Sequence, residues 1–254
     1  MVSLFLNDKM KTSLLWVLTL SLAPMFSVLT HTAVATSSEV FSTNDNPFGR
    51  AYSEWVIDWW KWWITNVQDA ETEKLAGLQE NGCLLHHQGA VVMLLDTAVG
   101  GSINQKCKIS SEQGILIPIW TGECDQATQG HFDDSFKQLT ECAREYDVGR
   151  VTGQVNIDGK QVARLSATDL KTHYSQNVSE INTPQFNATF KEGGVMDVVR
   201  FGTFPTVAHG WFVFLKPLSP GQHSVYYENN VLPTTRSGAE TQNSARINYS
   251  FVVE

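Results

Sequence analysis

Basic residues nowhere cluster in this 254-residue chain, and charged residues of both signs make up only 17% of it. A formal charge of −8 without a basic run argues against a nucleic-acid partner and against electrostatic docking on anionic lipid. Catalytic fingerprints are missing as well: there is no GxSxG, no P-loop and no Rossmann glycine pattern. The histidines show neither HxH nor HExxH spacing, and no cysteines are spaced CxxC. Zinc therefore finds no support, and no cofactor is implied. No repeat, low-complexity tract or internal linker divides the chain. A composition of 42% hydrophobic and 11% aromatic residues lies far from that of a disordered segment.

What is present begins with a targeting segment. Lys9 and Lys11 form a positive n-region, and "LLWVLTLSLAPMFSVL" (14–29) is the apolar h-region. "AVA" at 33–35 then supplies small residues for cleavage before Thr36. The apolar run contains Pro24 and is short for a span of roughly 20 residues, so no transmembrane span is expected after cleavage. Removing Asp8, Lys9 and Lys11 makes the mature chain one charge more acidic. Export changes how the four cysteines read, because an even number in an exported chain favours two disulfides. Cys83, Cys107, Cys124 and Cys142 allow three pairings, which composition cannot separate. The expected pairing is Cys83–Cys107, closing across a hairpin, with Cys124–Cys142 tying a second helix to the chain entering it.

The polar stretch 36–46 reads as an exposed leader. After it, "EWVIDWWKWWITN" packs five of the eight tryptophans into nine residues. Tyr52, Trp55, Val56, Trp59, Trp60, Trp63 and Val67 recur with a helical period, and Trp62 and Ile64 widen the stripe. A helix apolar over so much of its circumference is buried on several sides. A membrane-surface helix would carry Lys or Arg along its polar face, where this one has Glu54, Asp58 and Lys61. A ligand floor is the remaining alternative, with Trp62 at the border of the stripe as the most accessible ring.

Period-two patterns dominate the rest. "AVVMLL" (90–95), "INQKCKI" (103–109) and "ILIPIW" (115–120) read as strands, the last an edge or bulged strand because of Pro118. Asp133 and Asp134 mark the start of a second helix whose apolar face would be Phe136, Leu139, Cys142, Ala143 and Tyr146. Asp158-Gly159 is a type I′ hairpin signal, and Ile247, Tyr249, Phe251 and Val253 share one face of the last strand. The expected fold is mostly β, a sandwich or jelly roll, with a Trp-rich N-terminal helix and a second short helix. A single domain would occupy 47–254.

"AYSEWVIDWWKWW", the order "NGC", "GAVVMLLDTAVGG", "QKCKI" and "GILIPIWTGEC", and the later "VNIDGKQV" and "GWFVFLKPLSPGQHSV" together resemble a widespread family of secreted prokaryotic proteins. The chain departs from its pattern at "HHQGAVVM", where a Gly-Pro-Val-Trp run would be expected. The resemblance implies export, one domain and a β-rich architecture. It carries over no catalytic residue.

Glu54 and Glu123 are the candidate catalytic carboxylates, since burial among apolar residues could raise a pKa toward that of a general acid. Such a pair could hydrolyse a glycoside. The alternative is structural, with Glu54 bound to Arg50 or a backbone amide. "PGQH" (220–223) echoes half of a cupin motif whose metal-binding first half is absent. Asn177, Asn187 and Asn248 lie in acceptor sequons. The leading expectation is a secreted or cell-surface, non-enzymatic sandwich that binds a carbohydrate, an envelope component or another surface protein. A secreted hydrolase and a purely structural surface protein are the rivals. An enzyme would show a pocket where two carboxylates converge, and a binder a shallow exposed patch.

Overall fold

The computed structural model describes residues 39–66, 79–96, 101–145, 149–167, 173–192, 198–233 and 243–254. The expected targeting segment, the start of the expected leader, Val67, Tyr146 and the His173 side chain lie outside them. In chain order a 3-10 turn, Pro47–Gly49, precedes helix α1 (Tyr52–Asn66). Strands β1 (Gln79–Glu80), β2 (Cys83–Gln88), β3 (Val91–Leu94), β4 (Gly101–Ile109) and β5 (Gly114–Asp125) follow, then helix α2 (Phe136–Glu145). The remainder is β6 (Gly149–Ile157), β7 (Lys160–Ala167), β8 (His173–Gln176), β9 (Ser179–Asn182), β10 (Phe186–Phe190), β11 (Gly202–Leu215), β12 (Gly221–Pro233) and β13 (Asn243–Val253).

These strands form two sheets. The first runs β1-β2-β3-β5-β11-β10, with β9 also paired to β11, and the second runs β4-β13-β12-β6-β7-β8. The pairs β3/β5 and β4/β13 are parallel, and the other pairs are antiparallel. Apolar patterning explains the layering. β13 alternates between buried and accessible residues, so the second sheet covers the core with one face only. By contrast β3 is buried throughout, and so is β11 from Thr206 to Leu215. Strands with continuous apolar runs must be covered on both sides. Phe212 and Phe214 meet α1 on one face, through Trp59 and Tyr52. From the second sheet the Tyr227 hydroxyl donates to the Leu95 carbonyl, 2.8 Å away, and the Tyr249 hydroxyl donates to that of Leu84. The protein is thus mostly β, a two-sheet sandwich with two helices.

Helix α1 buries Tyr52, Trp55, Val56, Trp59, Trp60, Trp62, Trp63 and Ile64, the apolar stripe expected from the sequence. The rings of Trp59 and Trp63 stack at 5.2 Å, and Trp55 Nε1 donates to the Pro47 carbonyl at 2.9 Å. Each buried indole removes a large apolar area from water, so the helix is the lid of the first sheet.

Several local expectations are corrected. The leader is not exposed throughout: Val40 is buried in a β-bridge to Leu215, and the Phe41 amide donates to the Phe214 carbonyl. An apolar Val-Phe pair gains more from extending this edge than from solvent. Helix α2 is capped by Ser135, one residue after the expected aspartates. Ser135 Oγ accepts the Gln138 amide while Gln138 Oε1 accepts the Ser135 amide, a capping box. That start turns Phe136 outward, 49% exposed, while Leu139 and Ala143 pack on Cys124 and Val207. Of the two readings of Pro118, edge or bulge, the bulge holds. β5 lies between β3 and β11, and the register slips between Trp120↔Trp211 and Pro118↔Phe212, leaving Ile119 as the bulged residue. Asp158 and Gly159 both have positive φ, as a type I′ turn requires. Both cysteine pairs are as expected, yet Cys83–Cys107 closes no hairpin. Its β2 and β4 belong to different sheets, so it fastens one layer of the sandwich to the other.

Candidate binding face on the second sheet

With one face of the second sheet in the core, alternation directs the other set of side chains to solvent. Register then decides which residues become neighbours. Arg246 on β13 faces Glu228 on β12, Glu228 faces Gln154 on β6, and Gln154 faces Arg164 on β7. The next row is Ser244, Asn230, Thr152 and Ser166, and the row on the other side carries Asn248, Tyr226 and Asn156. The first two rows line an open, predominantly polar groove of about 500 Å³.

Glu228 organises the groove. Gln154 Nε2 donates to its Oε1 at 2.7 Å, the Tyr226 hydroxyl donates to its Oε2, and Arg246 Nε lies 3.5 Å from Oε2. Partial burial, followed by the bond to Glu228 and its charge, pushes the Tyr226 hydroxyl up to about 12, so it remains a donor at neutral pH. Beneath the groove Asn229 Nδ2 donates to the Ile119 carbonyl at 3.0 Å, joining this part of the second sheet to the first. The groove therefore presents oriented amide, hydroxyl, carboxylate and guanidinium groups on a rigid sheet. Such groups recognise polar ligands; two carboxylates poised for hydrolysis are not among them.

A second open groove on the same face, about 690 Å³, is lined by Lys106, Lys108, Asp158, His223, Ser224 and Val252 among others. Ser219, His223 and Asp158 superficially suggest a nucleophile, base and orienting acid. His223 Nδ1 is 2.8 Å from Asp158 Oδ2, but Nε2 is nearer to the Ser219 carbonyl, at 2.9 Å, than to its hydroxyl, at 3.4 Å. The shorter Nε2 contact is to a main-chain carbonyl and the hydroxyl contact is long, so the geometry does not single out the Ser219 hydroxyl as the ring's partner. This is a clamp on the β12 entry, not a triad. Burial alone would raise the Asp158 pKa, but the Ser224 amide and His223 outweigh it and hold the carboxylate below its ordinary range.

The two candidate carboxylates occupy different environments. Glu54 is exposed at the start of α1, where its Oε2 accepts the Ala51 amide at 2.9 Å. It is a helix-start residue bound to a backbone amide, while Arg50 pairs instead with Asp58 at 2.8 Å. Glu123 is 4% exposed on β5. Burial, and after it the neighbouring Asp125, drives its pKa well above the usual range. Asp125 accepts the Ala127 and Thr128 amides, at 2.5 and 2.8 Å, and the Thr128 hydroxyl, at 3.0 Å. Glu123 Oε2 is enclosed without a hydrogen bond. Its acidic neighbour is Asp125 rather than Glu54.

Trp62 is the most accessible of the five helix indoles, but at 7% it is still buried. The His86 ring lies parallel to it at 5.4 Å, and His86 bonds Glu80 in turn. It is a wall of the core rather than an open platform. Among the described residues no helix is long and apolar enough to cross a membrane, and no three His, Cys, Asp or Glu side chains converge to hold a metal ion. Of the sequon asparagines, Asn177 Nδ2 donates to the Val162 carbonyl at 2.8 Å, Asn187 is exposed on β10, and Asn248 lies on the outer face described above. Sequence reasoning missed that face altogether, because its residues come from segments far apart in the chain and only the register aligns them.

No family model matches the chain, and no curated protein matches it. Among solved structures it is compared with a mutant form of the CFA/I adhesin CfaE of enterotoxigenic E. coli, 12% identical, covering 53% of this chain and 35% of that one. The TM-score is 0.15, a likeness that carries no argument.

Proposed function

We propose that this chain is an exported, non-enzymatic β-sandwich that binds a glycan of the cell envelope or surroundings on the outer face of its second sheet. The observation that carries the reading is the register row Arg246–Glu228–Gln154–Arg164, which brings four polar side chains together over one open groove. Sugars present dense hydroxyls, and planar amides, carboxylates and guanidinium groups bond them in pairs. Export is supported by the targeting segment and agrees with two disulfides. The resemblance to secreted prokaryotic proteins fits the same reading. A hydrolase using Glu54 and Glu123 is less well supported, since one carboxylate binds a helix-start amide and the other is enclosed beside Asp125.

The test is a glycan and envelope-polysaccharide array, followed by calorimetric titration of the best ligand. Gln154→Ala and Arg164→Ala should each weaken binding by about tenfold, corresponding to about 1.4 kcal/mol, without lowering the melting temperature. Retention of full affinity by both variants would remove the groove from the reading.

A further inference from the structure

We infer that the glycan is anionic and that one chain of it spans both grooves of the outer face, from Arg164 on β7 to Lys106 on β4. This rests on the glycan reading above and adds the ligand's charge and the length of surface it covers.

The inference comes from where cations gather on an acidic protein. Lys106, Lys108, Arg164 and Arg246 all point outward from the second sheet, although the chain's formal charge is −8. Among the described residues, three carboxylates lie around them, and each is engaged. Glu228 takes Gln154, Tyr226 and Arg246; Asp158 takes the Ser224 amide and His223; Glu254 lies 2.5 Å from Lys108. Among the described residues the Lys106 ammonium and the Arg164 guanidinium have no side-chain partner. The described side chains of this face thus hold four cations against three carboxylates, a formal excess of one positive charge, and the two cations without a side-chain partner lie one in each groove. No basic run in the sequence shows this, since register alone places them on the same surface.

Their spacing suits a polymer rather than a monosaccharide. β4 and β7 are four strand steps apart in the order β4-β13-β12-β6-β7, which is roughly 19 Å at the usual strand spacing. Lys106 is in register with Ser250 and Ser224, whereas Arg164 is in register with Gln154 and Glu228, four residues further along β12. That adds roughly 13 Å along the strand and gives a diagonal of roughly 23 Å. Asn248, Tyr226 and Asn156 fill the row between, so hydrogen-bonding groups continue from one groove to the other. The surface holds Tyr226 as its ring and otherwise amides and hydroxyls there, which favours sugar hydroxyls over stacked nucleobases.

The test uses the disulfide-bonded secreted protein, polygalacturonate, and the same polymer fully methyl-esterified. At low ionic strength polygalacturonate should bind at least about tenfold more tightly than its ester, with the preference shrinking as salt is added. Lys106→Ala and Arg164→Ala, both at exposed positions, should each cost the charged polymer about three- to tenfold. Equal binding of polymer and ester would overturn the anionic ligand while leaving the glycan reading intact. A silent Lys106→Ala beside a damaging Arg164→Ala would confine contact to one groove and overturn the span. Single-stranded DNA bound as tightly through the same residues would replace the ligand class. If neither polymer binds, the anionic proposal fails, and the array decides the broader reading separately.

Discussion

Trp59 donates its indole hydrogen to the Leu94 carbonyl across 2.8 Å, tying the middle of α1 to the last residue of β3. The ring is fully buried against Trp60, Trp63 and Phe212. Trp59→Ala would open a cavity and remove the donor from a buried carbonyl. A cost of about 4–5 kcal/mol is expected, a large part of the roughly 5–15 kcal/mol that holds a typical domain together. Trp62→Ala loses one stacked partner near the sheet edge and should cost about 2–3 kcal/mol. Chemical denaturation of the two variants checks the order. Equal losses would mean that the Leu94 bond contributes nothing.

The two disulfides should fail differently. Each closes a loop of moderate length, with sequence separations of 24 and 18, and should stabilise by roughly 3 kcal/mol. Cys83–Cys107 joins the two sheets, so replacing both residues with alanine should accelerate hydrogen exchange in β12 and β13 as well as in β2. Replacing Cys124 and Cys142 should loosen α2 around Leu139 and Ala143 and leave the second sheet protected. Exchange that rises in α2 alone for both variants would contradict the cross-sheet role.

How much of this was readable beforehand depended on whether a feature is local. The Trp helix and the Asp158-Gly159 turn declare themselves within a few residues, by period and by turn chemistry. Two adjacent histidines give "CLLHHQ" no strand signal of its own, and only the fold places His86 between Trp62 and Glu80. Glu54 and Glu123 both sit in apolar sequence, yet composition does not say which way a carboxylate points. The position of Glu54 at a helix start was the available signal for its amide bond. The outer face was illegible for a different reason: Arg164, Gln154, Glu228 and Arg246 become neighbours only through long-range pairing.

Glu123 makes stability depend on pH with a definite sign. Burial holds its folded-state pKa well above the ordinary value of 4.5 that the unfolded chain keeps. Below that value both states carry the proton and the group has no effect. As pH rises past it, only the unfolded state ionises, so stability falls until the folded pKa is reached. Glu123→Gln keeps the shape without the charge. It should be more stable than the wild type at neutral pH and indistinguishable from it below the ordinary value of 4.5. Melting curves across that range provide the check, and parallel profiles for the two proteins would show that Glu123 is not held neutral.

Gly153 tests the contact between the sheets beneath the proposed groove. A Cβ at this position would lie 2.4 Å from Ile119 Cγ2 and 3.2 Å from the Glu228 carbonyl oxygen. Neither neighbour can retreat cheaply. Ile119 is the bulged residue of β5, its carbonyl held by Asn229, and the Glu228 backbone belongs to the β12 ladder. Gly153→Ala should therefore cost about 2–3 kcal/mol through overpacking. The same push would displace Gln154 and Glu228, the residues flanking the clash, so glycan affinity should fall along with stability. Combining it with Ile119→Ala removes the colliding methyl group, and the two losses should be less than additive by more than about 1 kcal/mol. Strict additivity in denaturation measurements would place the clash elsewhere. Restored stability with affinity still lost would show that the groove depends on the Gln154 backbone position itself.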